Sequence, residues 1–286
     1  MRNPDQHTAP VGESTNSPFP RGTGKPNQSP LFWVQNKDRY LRQLLIQDIQ
    51  KTTGRELLVY FTDCDRSAAQ IEQTDDIYLS ELLRAVRGNS VDLLLETNGG
   101  FTDATEKVCS VLSSSGLDVR VVVPRRAKSN GTVITFCGSK IVMGLDSELG
   151  PIDPHLGGTP CDFIVKLTGV DALVLLSAEA AIAQTKKLAS QLLKANMLKN
   201  KEQSDIDNLV GRLASRDQYH SHGSVIDAHE AQRLGLEVEL LNPTDPLWQQ
   251  FWLLRTMFAH DCLMHGYSKV FESEKVCSPI VMPRPA

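Results

Sequence analysis

VDLLLETNGG, residues 91–100, is a nearly unbroken apolar run that ends in two glycines. A strand buried on both faces reads this way, whereas a half-exposed strand alternates apolar and polar residues. The pattern repeats downstream: a helix from about Thr102 to Gly116, the run VRVVVP at 119–124, a helix starting near Ser129, and SKIVMG at 139–144 before the loop LGPIDPHLGG. It also repeats upstream. Tyr40, Leu41, Leu44, Leu45 and Ile49 recur at helical spacing and Gly54 stops that helix; LLVYF at 57–61 is a strand; Ile77, Leu79, Leu82, Leu83 and Val86 mark a second helix. Buried strands alternating with helices predict an α/β fold with a largely parallel sheet. In such sheets the loops at the carboxyl ends of the strands carry the chemistry, and two of these loops are Gly99-Gly100 and Lys128-Ser129-Asn130-Gly131.

Beyond residue 170 the chain turns helical, over about 171–200 and 203–214. A short helix, Gly235 and a strand follow over 226–241, and LWQQFWLL marks an apolar C-terminal helix that serves the core or an oligomer contact. Residues 1–30 hold six of the fifteen prolines and only four apolar residues, so they read as a flexible, disordered tail. The folded domain is expected over 31–260, with a C-terminal tail over 261–286. The 286 residues carry 30 Lys+Arg against 34 Asp+Glu, for a formal charge of −4, which provides no basic face for a nucleic acid. With no apolar leader and no membrane-length apolar run, a cytoplasmic protein without a membrane span is expected. The six cysteines form no CxxC pair, so they are expected as reduced thiols with no structural metal.

Ser129 stands where a buried strand turns into a helix. Such a serine is a good helix cap, but the place also suits a nucleophile. Its hydroxyl is presented at a turn, Gly131 leaves room for a substrate, and the helix start offers free N–H groups to a developing oxyanion. Gly99-Gly100 closes the strand one unit earlier and so lies beside Ser129 at the same sheet edge, where glycine backbone can approach a bound substrate.

The run from Val91 to His155, with VDLLLETNGG, AKSNGT and KIVMGLDSELGPIDP in that order, resembles the serine dehydrogenase proteinase family, Clp-fold serine peptidases related to the Clp protease subunit and to signal peptide peptidases. The likeness extends over roughly residues 38–241, including RQLLIQDIQKTTGRELLVYF and the run from His222 to Leu236. It implies the ββα spiral of the Clp/crotonase fold with added N- and C-terminal helices. It implies Ser129 as nucleophile, an oxyanion hole from the N–H groups of Gly99, Gly100 and Asn130, a peptide or protein substrate, and a homo-oligomer. No metal or organic cofactor is implied. The chain departs from the family pattern at Asn98, where proline is usual, at Asn130, where a small residue is usual, and at His155, where glutamine is usual. Asn130 and Lys128 are expected to make the pocket more polar and more crowded.

A serine nucleophile needs a neutral base within hydrogen-bond reach. His155, one short strand beyond the serine, is the first candidate; Lys186 or Lys187, on the following long helix, and His222, in the turn HSHG, are the alternatives. The acid that would orient a histidine could be Asp153, Asp205 or Asp207. The expected function is therefore a serine peptidase. A Clp-fold scaffold that binds peptides and a crotonase-type acyl-CoA enzyme are the readings that compete with it, and an ATPase partner is left open.

Overall fold

Within each buried strand, odd and even residues face opposite sides of the sheet, and each side meets its own helical layer. Leu58 and Tyr60, with Val91, Leu93, Leu95, Val121 and Ile141, fill one core, while Leu57, Val59, Phe61, Leu94, Val122 and Val142 fill the other. The computed structural model describes residues 29–66 and 69–281, so the tail expected over residues 1–30 lies outside the described residues apart from Ser29 and Pro30. Ser29 caps the first helix, α1 (Pro30–Gln35), and α2 (Lys37–Thr53) follows it.

The central elements alternate as the apolar runs predict: β1 (Glu56–Thr62), α3 (Asp75–Ala85), β2 (Ser90–Glu96), α4 (Thr102–Ser114) and β3 (Asp118–Val123). The short β4 (Arg126–Ala127) comes next, then α5 (Asn130–Thr135) and β5 (Ile141–Met143). Three two-residue strands succeed it: β6 (Glu148–Leu149), β7 (His155–Leu156) and β8 (Thr159–Pro160). The helical section comprises α6 (Cys161–Ile164), α7 (Ala172–Ala195), α8 (Gln203–Leu213) and α9 (Ala228–Leu234). The chain continues through β9 (Val238–Leu240), α10 (Pro246–His265), β10 (Tyr267–Glu272) and β11 (Cys277–Val281).

The main sheet has the order β11-β10-β1-β2-β3-β5-β9; β1, β2, β3, β5 and β9 run parallel, while β10 and β11 add to it antiparallel. This corrects the expected tail over 261–286. Residues up to His265 complete α10, and Tyr267–Val281 form a hairpin whose inner strand pairs with β1 from Thr62↔Lys269 to Val59↔Glu272. Beside Val270 and Phe271, that strand buries Lys269 and Glu272, each against an opposite charge: Lys269 meets Asp75, and Glu272 meets Arg42. Among the described residues, all six cysteines are free thiols, and no helix is long and apolar enough to cross a membrane.

A second, shorter ladder stands above the carboxyl edge of the main sheet. Thr97 bridges Ala127, β4 pairs with β6, and Leu149 bridges Ile226. Each rung lies within four residues of a chemically suited side chain or loop: Gly99-Gly100 after Thr97, Ser129 after Ala127, Asp153 after Leu149 and His222 before Ile226. The ladder gathers them from distant parts of the chain.

Candidate active site

Ser129 lies just beyond β4 and precedes α5. Its backbone has φ 53° and ψ −122°, and among the described residues it is the one non-glycine with positive φ. An L side chain pays for that conformation in steric strain, and such residues cluster at functional sites where neighbours hold them. The neighbours here are specific. Lys128 donates its N–H to Thr97 O at 3.0 Å, and Gly131 donates to Lys128 O at 2.7 Å, which fixes the chain on both sides of the serine. Thr132, fully buried, has its hydroxyl 2.7 Å from Ala127 O and 2.9 Å from Gly150 O, tying the turn of Ser129 to the segment that leads to Asp153. Ser129 forms no side-chain cap to α5, so the capping role open in the sequence is not the one its hydroxyl takes.

Gly99 has φ 101°, and a Cβ placed on it would stand 2.8 Å from Ser129 Cβ; only glycine allows this loop to press against the serine. Its N–H is used internally, donating to Thr97 Oγ1 at 3.1 Å, and its carbonyl accepts from Ile71 N at 2.8 Å. Ile71 lies over Gly100 in a parallel bridge closed by the Gly99 carbonyl and the Phe101 N–H, which leaves the Gly100 N–H outside the bridge. The Asn130 N–H, at the first helical position, has no acceptor within its helix. The Asn130 side chain turns to the glycine loop, donating to Gly100 O at 2.7 Å and Thr102 Oγ1 at 3.2 Å.

Lys128 does not crowd the site as expected. It points away, ion-paired with Glu148 at 2.9 Å and donating to Gly223 O at 3.0 Å and Ser224 O at 3.1 Å. It therefore fastens the loop that carries His222 to the residue before Ser129.

Ser129, Gly99, Gly100, Asn130, Asp153, His155 and His222 all line one open cavity of about 520 Å³. His222 Nδ1 lies 2.8 Å from Asp153 Oδ1, and in the neutral imidazole this contact keeps the proton on Nδ1 and leaves Nε2 to accept one. Asp153 is buried, and burial alone would raise its pKa. The His222 hydrogen bond and charge, with the nearby Arg216 guanidinium, outweigh burial and hold the carboxyl below its ordinary range. Arg216 Nε is 2.7 Å from Asp153 Oδ2, but its N–H does not point at the oxygen, so this is a charge contact rather than a hydrogen bond.

His155 sits beside His222, with ring centroids 4.3 Å apart. Its Nε2 is 3.0 Å from Asp153 Oδ2 and 2.9 Å from Arg216 Nη2. With a proton, that nitrogen donates to Asp153; without one, it accepts from Arg216. Either way it is committed to this cluster. Burial, and then the neighbouring His222, lower the His155 pKa and favour its neutral form. Asp153, His155 and His222 offer three ligand atoms within 4.8 Å of one another, a set that could hold a divalent cation. Arg216 already places a positive charge against two of those atoms, which opposes a metal there.

Lys186 and Lys187 lie elsewhere, along the groove between α7 and α8 with Ser190 and Asp207. Asp207 accepts from Ser190 Oγ at 2.7 Å and from Gln203 Nε2 at 2.8 Å, outside the Ser129 cavity. Nothing local in the sequence points to Arg216 or to the tie from Lys128, because both act on loops far away in the chain.

A model of the ClpP-like SDH-type serine proteinase family matches residues 69–252. Two uncharacterized proteins of Methanocaldococcus jannaschii are 32% identical over 178 residues and 26% identical over 170 residues. These matches take in 58% and 55% of this chain, and 60% and 56% of those relatives' own lengths, so the chain spans somewhat over half of each. Among solved structures, ClpP1 from Listeria monocytogenes is similar at 13% identity and a TM-score of 0.45, covering 69% of this chain and 98% of that one. A mutant of the 1510-N membrane-bound stomatin-specific protease is similar at 17% identity and a TM-score of 0.43, covering 63% of this chain and 79% of that one.

Proposed function

Because the chain belongs to the ClpP-like SDH-type serine proteinase family, we propose that it is a serine peptidase in which Ser129 is the nucleophile, His222 the general base and Asp153 the orienting acid. The observation that carries this reading is the 2.8 Å contact between His222 Nδ1 and Asp153 Oδ1 in the cavity that Ser129 lines. A carboxylate on Nδ1 leaves Nε2 to accept a proton and then stabilises the imidazolium that forms. His155 has its Nε2 engaged by Asp153 and Arg216, and it acts as a neighbour of the pair rather than as the base.

In the reaction, Ser129 Oγ gives its proton to His222 Nε2 as it attacks the carbonyl carbon of a peptide bond. The N–H groups of Gly100 and Asn130 hold the oxyanion; Gly99, whose own N–H is spent on Thr97, supplies the close backbone approach. His222 passes the proton to the departing amine, and water, activated by the same nitrogen, releases the acyl group. Peptides or proteins are the substrates, and no step needs a cofactor.

The test is intact-mass analysis after treatment with a fluorophosphonate. One adduct is expected on the wild type and none on Ser129→Ala. His222→Ala should lose labelling, while His155→Gln and Lys186→Ala should keep it within a few-fold. A folded wild type that takes no adduct would turn the reading toward a peptide-binding scaffold, and loss of labelling in His155→Gln with retention in His222→Ala would exchange the two histidines.

A further inference from the structure

The hairpin β10–β11 lies beyond the residues matched by the family, yet it reaches the catalytic loop through buried charge. Lys269, on β10, is 2% exposed, and its Nζ donates to Asp75 Oδ1 at 2.8 Å, Asp75 Oδ2 at 3.1 Å and Glu72 Oε2 at 2.9 Å. Asp75, 1% exposed, also accepts from the Tyr60 hydroxyl and from the Glu72 N–H, the latter at 2.9 Å. The Lys269 ammonium and the Asp75 carboxylate thus fix Glu72 by both its side chain and its backbone. Glu72 directly follows Ile71, whose N–H and carbonyl make the two hydrogen bonds that clamp Gly99 and Phe101. A Cβ on Gly100 would stand 2.3 Å from Ile71 N, so the two backbones are in direct contact.

Taking a lysine and an aspartate out of water is costly, and a well-packed apolar pair is often at least as stable. Stability alone therefore gives little reason for this arrangement, whereas position does. We propose that Lys269 is a positioning residue: through Asp75 and Glu72 it holds Ile71 against Gly99-Gly100 and so sets the direction of the Gly100 N–H in the oxyanion hole. The inference rests on the reading of Gly100 as an oxyanion donor. It makes the added hairpin part of the catalytic apparatus at second hand.

The experiment compares the full chain with Lys269→Met/Asp75→Asn, which removes both charges together, and with Lys269→Arg, which keeps the cation. Two readouts are taken: the concentration dependence of fluorophosphonate labelling, and hydrogen–deuterium exchange of peptides covering 69–76, 97–103 and, as a control, 118–123. The double variant should label at least tenfold more slowly at saturation with its half-saturating concentration within twofold of wild type. Exchange should rise in 69–76 and 97–103 but not in 118–123, and Lys269→Arg should recover most of both effects. Wild-type labelling in a folded double variant, or exchange that rises equally in all three peptides, would overturn the proposal. If the wild type itself does not label, the peptidase reading fails; the exchange pattern still decides whether Lys269 holds the glycine loop. Should the double variant not fold, Glu72→Gln, at a half-exposed partner of Lys269, must raise exchange in 97–103, and no rise there would equally overturn the proposal.

Discussion

Replacing Asp153 by asparagine separates the chemical role of that carboxylate from its structural one. Asp153 is 1% exposed and serves three partners: His222 at 2.8 Å, His155 at 3.0 Å and Arg216 at 2.7 Å. The substituted side chain would keep the shape but present an amide that does not hold His222 in the tautomer with a free Nε2. In serine hydrolases that change lowers turnover by about 10⁴, or roughly 5 kcal/mol of transition-state stabilisation. It would also leave Arg216, whose side chain is 6% exposed, without its anion, and breaking a buried pair from one side costs about 3–5 kcal/mol of folding stability. The second variant Asp153→Asn/Arg216→Met removes the stranded charge. Denaturant midpoints should therefore fall in Asp153→Asn and largely recover in the double variant, while fluorophosphonate labelling stays about 10⁴-fold slow in both. If labelling recovered together with stability, Asp153 would be a structural counter-ion to Arg216, and the assignment of His222 as an oriented base would fail.

The strained backbone at Ser129 predicts that Ser129→Gly is more stable than Ser129→Ala by about 1 kcal/mol, since only glycine takes φ 53° without cost; both should be unreactive, and urea melts of the two compare them. Gly99→Ala should cost roughly 2–5 kcal/mol and abolish labelling, because its Cβ meets Ser129 Cβ at 2.8 Å and φ is +101°; wild-type stability there would show that the loop can move off the serine. For pH, the folded state binds fewer protons than the unfolded chain at His155, whose pKa lies below its ordinary 6.5. Its contribution to stability is thus complete above that value and is lost as pH falls from about 6.5 through the lower, folded pKa. His155→Gln should flatten the dependence of unfolding free energy on pH in that window. Asp153, also lowered, acts in the same direction but only below about pH 4, so the two losses should appear as separate steps.

The strands of the central sheet were legible because β1, β2 and β3 are buried on both faces, and continuous apolar runs of that length admit few other readings. The last hairpin was not, for a physical reason: two of the buried positions of its inner strand are Lys269 and Glu272, and a buried charge with a distant partner looks like a solvated one in sequence. That Ser129 lies beside Gly99 and Gly100 was legible because a strand, a turn and a helix start lie close together in the chain. For the base, the sequence puts His155 ahead of Lys186 and His222, and nothing local in it ties His222 to Asp153. What brings His222 to Asp153 is the bridge from Leu149 to Ile226 and the tie from Lys128 to Gly223 and Ser224, contacts between segments tens of residues apart.

If Lys269 holds the glycine loop, the pairing of β1 with β10 also governs when the site is complete. Lys269 and Asp75 are 194 residues apart, and Arg42 and Glu272 are 230 apart. Ribosomes extend a chain at about 5–20 residues per second, so β1 waits on the order of ten seconds or more before the strand that covers its edge has been made. In that interval the segments that carry Ser129, Asp153 and His222 have all been made, but the segment before α3 has no Lys269 to fasten it. If that lysine sets the oxyanion loop, the growing polypeptide carries its nucleophile without a fully formed hole for the charge that nucleophile would create. Hydrolytic capacity would then arrive only once β10 has been made, and the order of translation would act as a timer on it.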